Sequence, residues 1–344
     1  MGVDFCALKC YTPNIPKKSF QKKVIKMKKI IALILVALMV FGVCACSGAD
    51  DEKYTVGICQ LVQHKSLDAA TQGFIDALKA EFGDNVEILT RNANNDIPVC
   101  TTIVNDFVAK DVDLIMANAT PALAAAVNCT ETIPILGTSI TEYGVALDID
   151  NFSGVVDANI SGTSDLAPLD QQAQMILDLF PDTETVAMLY CSAEPNSKYQ
   201  VKVVKEYLEG KGVTVIDKAF TDSNDVTVVA AAAASEADVI YIPTDNTAAS
   251  CATAIDGVIG DTPVVAGEEG ICSGCGVVTL CIDYYALGKK TGEMAVKVLK
   301  GEANIEDMAI EYDTNPVKKY NPTKCAQLGV DTVALEAAGY VALG

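Results

Sequence analysis

Past the acidic stretch from Ala49 to Lys53, short apolar runs alternate with longer stretches of helical period, the pattern of parallel β-α-β units. The order of these elements then repeats. YTVGICQL at 54–61, a turn, and a helix from Ser66 to about Phe82 are matched by TVAMLYCS at 185–192, a turn, and a helix from Ser197 to about Gly210. Asp113 opens an apolar run that ends at Thr120-Pro121 and leads into the helix ALAAAV; Asp238 opens one that ends at Thr244-Asp245-Asn246 and leads into AASCATAI. Each is followed by a proline-led strand ending in glycine, Pro134 to Gly137 and Pro263 to Gly267. Three matched elements in one order predict duplication of an α/β lobe. The expected fold class is therefore α/β, with two similar doubly wound parallel-sheet lobes joined by a multi-strand hinge.

Residues 54–160 are expected to form the first lobe and 161–282 the second, with 283–309 returning to the first and 310–344 to the second. Crossings are expected near Asn159–Asp165, Gly276–Asp283 and Ile310–Asp313. In open parallel sheets, ligands bind beyond the carboxyl ends of the strands, where helix N-termini present free N–H groups. The turns at Gln60–Ser66, Asn118–Pro121, Ser192–Ser197 and Thr244–Thr247 should therefore face a shared cleft. A chain of 344 residues, half of them apolar, is long enough for two such cores.

One long apolar run, Ile30 to Val43, interrupts this picture. At 14 residues it falls short of the ~20 that a membrane helix needs, and it follows Lys22, Lys23, Lys26, Lys28 and Lys29. It reads as a signal peptide within residues 1–45. Met27 opens a sufficient signal, so residues 1–26 are expected to be an upstream extension. Val43-Cys44-Ala45-Cys46 resembles a bacterial lipobox, which makes Cys46 the lipidated first residue of the mature chain and 46–53 a lipid-anchored linker.

Eight of the 25 basic residues and one of the 45 acidic ones precede Cys46, which leaves 17 against 44 and a net charge near −27. Such a surface repels nucleic acid and anionic lipid. Arg91 is the only arginine, so no arginine cluster can clamp a phosphate or dicarboxylate. Nine cysteines follow Cys46, mostly within apolar runs, and read as small buried residues. Cys272 and Cys275 have C-x-x-C spacing, but there is no second such pair and His64 is the only histidine. A plain loop or a local disulfide is expected there, and no metal or cofactor. No nucleophile elbow, phosphate-binding glycine loop or histidine-rich set points to an enzyme.

The turn residues also carry a resemblance. YTVGICQLVQHKSLDA with Gln60, His64 and Leu67-Asp68-Ala69, ATPAL at 119–123, ISGTSDLAP at 160–168, SAEPNS at 192–197, IPTDNTAAS at 242–250, VVAGEEG at 264–270 and IDYYALGKKTGEMA at 282–295 stand in family order. Over roughly residues 54–300 the chain resembles the ABC-importer substrate-binding lipoproteins that include tryptophan- and tyrosine-binding members, of type I periplasmic-binding-protein fold. Two departures stand out. Lys65 replaces the proline usual after the histidine, and Ser139-Ile-Thr-Glu-Tyr143 replaces a Thr-Asp-Pro turn, so no contact is carried over to those five residues.

The resemblance implies a free amino acid with an aromatic side chain, captured in the interlobe cleft by a monomer outside the cytoplasmic membrane and delivered to a permease with its ATPase. On that reading Thr120, Asn196 and Ser197 can donate to the ligand carboxylate, and Asp245 and Glu268 can accept from its ammonium. Gln60, His64, Asp165, Glu194 and Asn246 complete the expected ligand set. Capping alone would also justify Thr120, Ser197 and Asp245. Glu269 ranks below Glu268, and core packing is expected for at least one of Tyr284 and Tyr285. A surface sensor or adhesin on the same fold, or an importer component for another solute, is the alternative.

Overall fold

The computed structural model describes residues 53–313 and 315–344, so the expected signal segment, Cys46 and most of the linker lie outside the described residues. In chain order come β1 (Tyr54–Gln60), α1 (Lys65–Phe82), β2 (Val86–Asn92), α2 (Ile97–Ala109), β3 (Leu114–Asn118), α3 (Thr120–Val127), β4 (Ile135–Ile140), α4 (Tyr143–Ala146) and β5 (Ile160–Ser164). Next are α5 (Leu169–Leu179), β6 (Thr185–Cys191), α6 (Pro195–Gly210), β7 (Thr214–Phe220), α7 (Val226–Glu236), β8 (Val239–Ile242), α8 (Asn246–Ser250), α9 (Ala252–Ile259), β9 (Val264–Ala266), α10 (Glu269–Gly274) and β10 (Val278–Cys281). The chain ends with α11 (Tyr284–Leu299), β11 (Glu311–Tyr312), β12 (Val317–Tyr320), α12 (Pro322–Leu328), α13 (Thr332–Ala337) and β13 (Val341–Ala342).

Two sheets result, ordered β11-β5-β4-β3-β1-β2 and β13-β12-β10-β9-β8-β6-β7. The order β5-β4-β3-β1-β2 recurs strand for strand as β10-β9-β8-β6-β7. The lead strands repeat their register too: β1 pairs with β2 from Tyr54↔Val86 to Gln60↔Asn92, and β6 with β7 from Thr185↔Thr214 to Cys191↔Phe220. Central strands such as LIMAN (β3) and VIYI (β8) are buried at every position, as strands covered by helices on both faces must be. In the first lobe one face packs on Phe74, Leu78 and Met294 and the other on Phe107, Leu123 and Tyr143.

After β10 the chain returns to the first lobe, where α11 crosses α1 at backbone contact. A Cβ on Gly73 would lie 2.1 Å from the Tyr285 carbonyl oxygen, and one on Gly288 would lie 1.8 Å from the Ala70 carbonyl oxygen. Only glycine fits either position. A small apolar cluster of Ala70, Ala167, Ile282, Tyr284 and Leu287 ties the crossing segments to these two helices.

Two expected boundaries move. β5 pairs with β4 and β11, so the first sheet runs through Ser164 instead of ending at 160. Its sequence ISGTS looks like a polar connection, yet all five residues are buried. Each hydroxyl finds an internal partner: Ser161 Oγ donates to the Met308 carbonyl at 3.0 Å, Thr163 and Thr291 Oγ1 pair at 2.8 Å, and Ser164 Oγ donates to the Thr141 carbonyl at 2.8 Å. Because β11 also belongs to the first sheet, the third crossing follows Tyr312 instead of starting at Ile310. Among the described residues no helix is long and apolar enough to cross a membrane.

Candidate functional site

The strands of both sheets end on turns that converge, and most of the expected residues lie on those turns. In the first lobe β3, β4 and β5 are neighbours, about 4.8 Å apart, and each ends in an unusual residue. Ala119, after β3, has φ 94° and ψ 152°, a region normally reserved for glycine. It sets Thr120 at the start of α3 with its Oγ1 buried and without a hydrogen-bond partner. Ser139, near the end of β4, has φ 56° and likewise a buried Oγ without a partner.

Asp165 follows β5 and is 3 % exposed. Its Oδ2 accepts from the Tyr284 hydroxyl at 2.7 Å, while Oδ1 has no hydrogen-bond partner. Burial pushes this carboxyl up to about 6, against the opposing pull of the Tyr284 and Thr141 hydroxyls. Tyr284 is thus a buried positioning group, whereas Tyr285 is exposed and donates to Asp76.

Gln60 is buried and internally committed. Its Nε2 donates to the Val62 carbonyl and to Asp68, and its Oε1 accepts from Thr71 Oγ1 at 2.6 Å. It braces the turn that carries His64.

In the second lobe the expected ammonium acceptors are also spoken for. Asp245 caps α8, its Oδ1 accepting from the Ala248 amide at 2.8 Å and its Oδ2 from the Cys191 amide at 2.6 Å and the Ser197 hydroxyl at 2.7 Å. Burial and the neighbouring Glu194 push its carboxyl upward. Glu194 accepts from the Asn246 amide, Asn246 Nδ2, the Thr247 amide and Thr247 Oγ1, at 2.7–3.1 Å. Glu268 caps α10 through the Gly270 and Ile271 amides and takes the Ser66 hydroxyl from the opposite lobe. These three carboxylates shape the cleft wall from behind. Asn196 Oδ1 in the second lobe is buried and unpartnered, while its Nδ2 donates to the Thr244 carbonyl at 2.9 Å.

His64 reaches Asn246 across the cleft, Nε2 to Oδ1 at 3.4 Å. Asn246 Nδ2 is committed to Glu194, so its Oδ1 accepts and His64 Nε2 carries the hydrogen. His64 Nδ1 is buried and without a partner. The helices α1, α3 and α6 all begin at the cleft with no side-chain cap hydrogen bond; α1 carries Asp68 in its first turn and α6 begins after Glu194, whereas α3 has no acidic residue in its first turn.

Several site residues were not expected from the sequence. Ser139 lies in the departing Ser139–Tyr143 segment and carries no sequence signal of its conformation. Asn95, in a left-handed turn, donates to Thr247 Oγ1 across the lobes at 2.9 Å; the Asn-rich run at 92–95 was its only trace. Cys272 and Cys275 form neither a loop nor a disulfide. They are free buried thiols on and just after α10, packed in the second-lobe core.

The chain matches the family model for ABC transporter substrate binding protein over residues 55–336. It is 35% identical over 301 residues to the tyrosine-binding protein of Clostridioides difficile (strain R20291), covering 81% of this chain and 86% of that one. The structure is similar to the ABC domain in complex with L-Trp from Streptococcus pneumonia, with TM-score 0.79, 30% identity, and coverage of 85% of this chain and 100% of the other. It is also similar to the ligand-free, open structure of a substrate binding protein with adhesive properties from Clostridium difficile, with TM-score 0.64, 35% identity, and coverage of 85% and 100%. The better superposition on the ligand-bound structure, despite lower identity, agrees with the direct contacts between the lobes.

Proposed function

Because this chain belongs to the ABC transporter substrate binding protein family, we propose that it captures a free amino acid with an aromatic side chain in its interlobe cleft and hands it to a permease with its ATPase. The observation that carries the ligand class is the set of buried, unpartnered polar atoms converging there: Thr120 Oγ1, Ser139 Oγ, Asp165 Oδ1, Asn196 Oδ1 and His64 Nδ1. Such atoms destabilise a dry cleft and are offset by a ligand that pairs with them. In this reading Asp165 takes the ammonium. The carboxylate lies at the uncapped start of α3 with the Thr120 and Ser139 hydroxyls. The tyrosine named for one relative and the L-Trp bound in another favour an aromatic side chain.

Thermal unfolding of the mature chain against the twenty amino acids tests this. At a hundred times its Kd a true ligand adds ~2.7 kcal/mol of stability, a shift of several degrees for a chain of this size. Stabilisation should be confined to tyrosine, tryptophan or phenylalanine. A response to sugars alone would overturn the ligand class.

We also propose that the protein is held at the outer face of the cytoplasmic membrane by lipid on Cys46, on the strength of the Val43-Cys44-Ala45-Cys46 motif. Labelling with radioactive palmitate should be lost in Cys46→Ala. Label that persists in this variant would move the anchor elsewhere.

A further inference from the structure

At the cleft rim, two consecutive carboxylates at the start of α10 meet the first turn of α1 in the opposite lobe. Glu268 accepts from the Ser66 hydroxyl, and Glu269 pairs with the Lys65 ammonium at 3.0 Å. Glu269 also pairs with Lys319 of β12, on its own lobe. We propose that these contacts form a latch that holds the two lobes together before any ligand arrives, with Lys65 and Glu269 as its charged pair.

An exposed ion pair alone contributes little, and Lys65 keeps about half of its side chain in solvent. Three features of the arrangement raise its effect. Glu269 is held by Lys319, so its side chain is already ordered when the lobes separate and little entropy is lost when they meet. The Ser66–Glu268 contact beside it is buried, both residues being at most 3 % exposed. The third feature is the position of Lys65, which occupies the first helical residue of α1.

A cation at that position faces the positive end of the helix dipole and is unfavourable within its own lobe, an effect that Asp68 in the same first turn offsets in part. Proline suits the first helical position best, so nothing in helix formation calls for a lysine there. In the closed arrangement Glu268 and Glu269 approach the same helix end, neutralising the lysine and compensating the dipole together. Lys65 therefore destabilises the open lobe slightly and the closed pair not at all, which biases the equilibrium toward closure. Only such a differential interaction can shift a two-state equilibrium. A fivefold change in the closed-to-open ratio, ~1 kcal/mol, is within reach of this set.

The consequence for affinity rests on the cleft being the binding site, but the latch itself is measured without ligand. Small-angle scattering of the ligand-free mature chain at low salt should show a smaller radius of gyration than that of Lys65→Met or Glu269→Gln. Lys65→Arg should stay compact, and high salt should expand the native chain toward the variants. With an aromatic amino acid bound, Lys65→Met should release it about fivefold faster. If the ligand-free native chain is as extended as Lys65→Met at every salt concentration, the latch is overturned. Failure of amino-acid binding would leave the scattering comparison intact, so the two ideas fail separately.

Discussion

Asp165→Asn is expected to weaken binding of the aromatic amino acid by about 2–5 kcal/mol, the usual consequence of removing one partner from a buried, hydrogen-bonded charge pair. The substitution keeps an oxygen to accept from the Tyr284 hydroxyl and removes the charge that meets the ammonium. It should not lower the stability of the ligand-free protein. Burial raises the folded carboxyl to about 6 from an unfolded value near 3.9. A raised carboxyl is favoured in its neutral form by folding, so this group weakens the ligand-free fold progressively as pH rises from about 4 through 6, by about 3 kcal/mol at neutrality.

Binding runs in the opposite direction. The ionised form is the one that pairs with ammonium, so affinity should fall as pH drops below about 6 and level off above it. Calorimetry of the native chain and of Asp165→Asn across this range checks both statements. An affinity that is flat with pH, or a variant that binds like the native chain, would remove Asp165 from the ammonium site.

Glu194→Ala is expected to destabilise the fold by about 3–5 kcal/mol, because the side chain is 2 % exposed and accepts four donors at the start of α8. Truncation leaves two buried amides, a hydroxyl and a carboxamide without that partner. Relief of the repulsion between Glu194 and Asp245 offsets a part of this loss. Urea unfolding should show a lower midpoint with unchanged slope, and a change below about 1 kcal/mol would mean that water replaces the carboxylate. Asp245→Ala belongs in the same class. Its side chain accepts from three internal donors, so its truncation should also lower the urea midpoint.

The split between these two carboxylates and Asp165 shows where sequence reasoning stops. All three sit at a strand end beside a helix start, the position of both a cap and a ligand group. What distinguishes them is how many donors the surrounding backbone already directs at each oxygen. Asp245 meets the Cys191 amide 54 residues away and Glu194 meets α8 from 52 residues away, whereas Asp165 has the Tyr284 and Thr141 hydroxyls and no backbone amide of a distant residue directed at it. No local pattern encodes that difference.

The alternation of apolar runs and helical stretches, and its repetition, determined the two-lobed α/β architecture and the end of each sheet at which the site lies, since strand and helix periodicities are local and survive in a single sequence. The same text placed Thr120, Asn196 and His64 on turns expected to face the cleft, and Asp165 at the end of a crossing between the lobes. Tertiary structure alone decided the rest. β5 is a central strand although its residues are mostly small and polar, because buried hydroxyls are satisfied by partners up to 147 residues distant. Ser139 is held at φ 56° with a buried, unpartnered hydroxyl, and Gln60, Glu194, Asp245 and Glu268 are each bonded to internal donors or acceptors that no local pattern foretold. The bonds between lobes join residues 152, 182 and 202 positions apart. Such pairings depend on how two separately folded surfaces meet, and that geometry is set by packing across the hinge, not by the order of residues within either lobe.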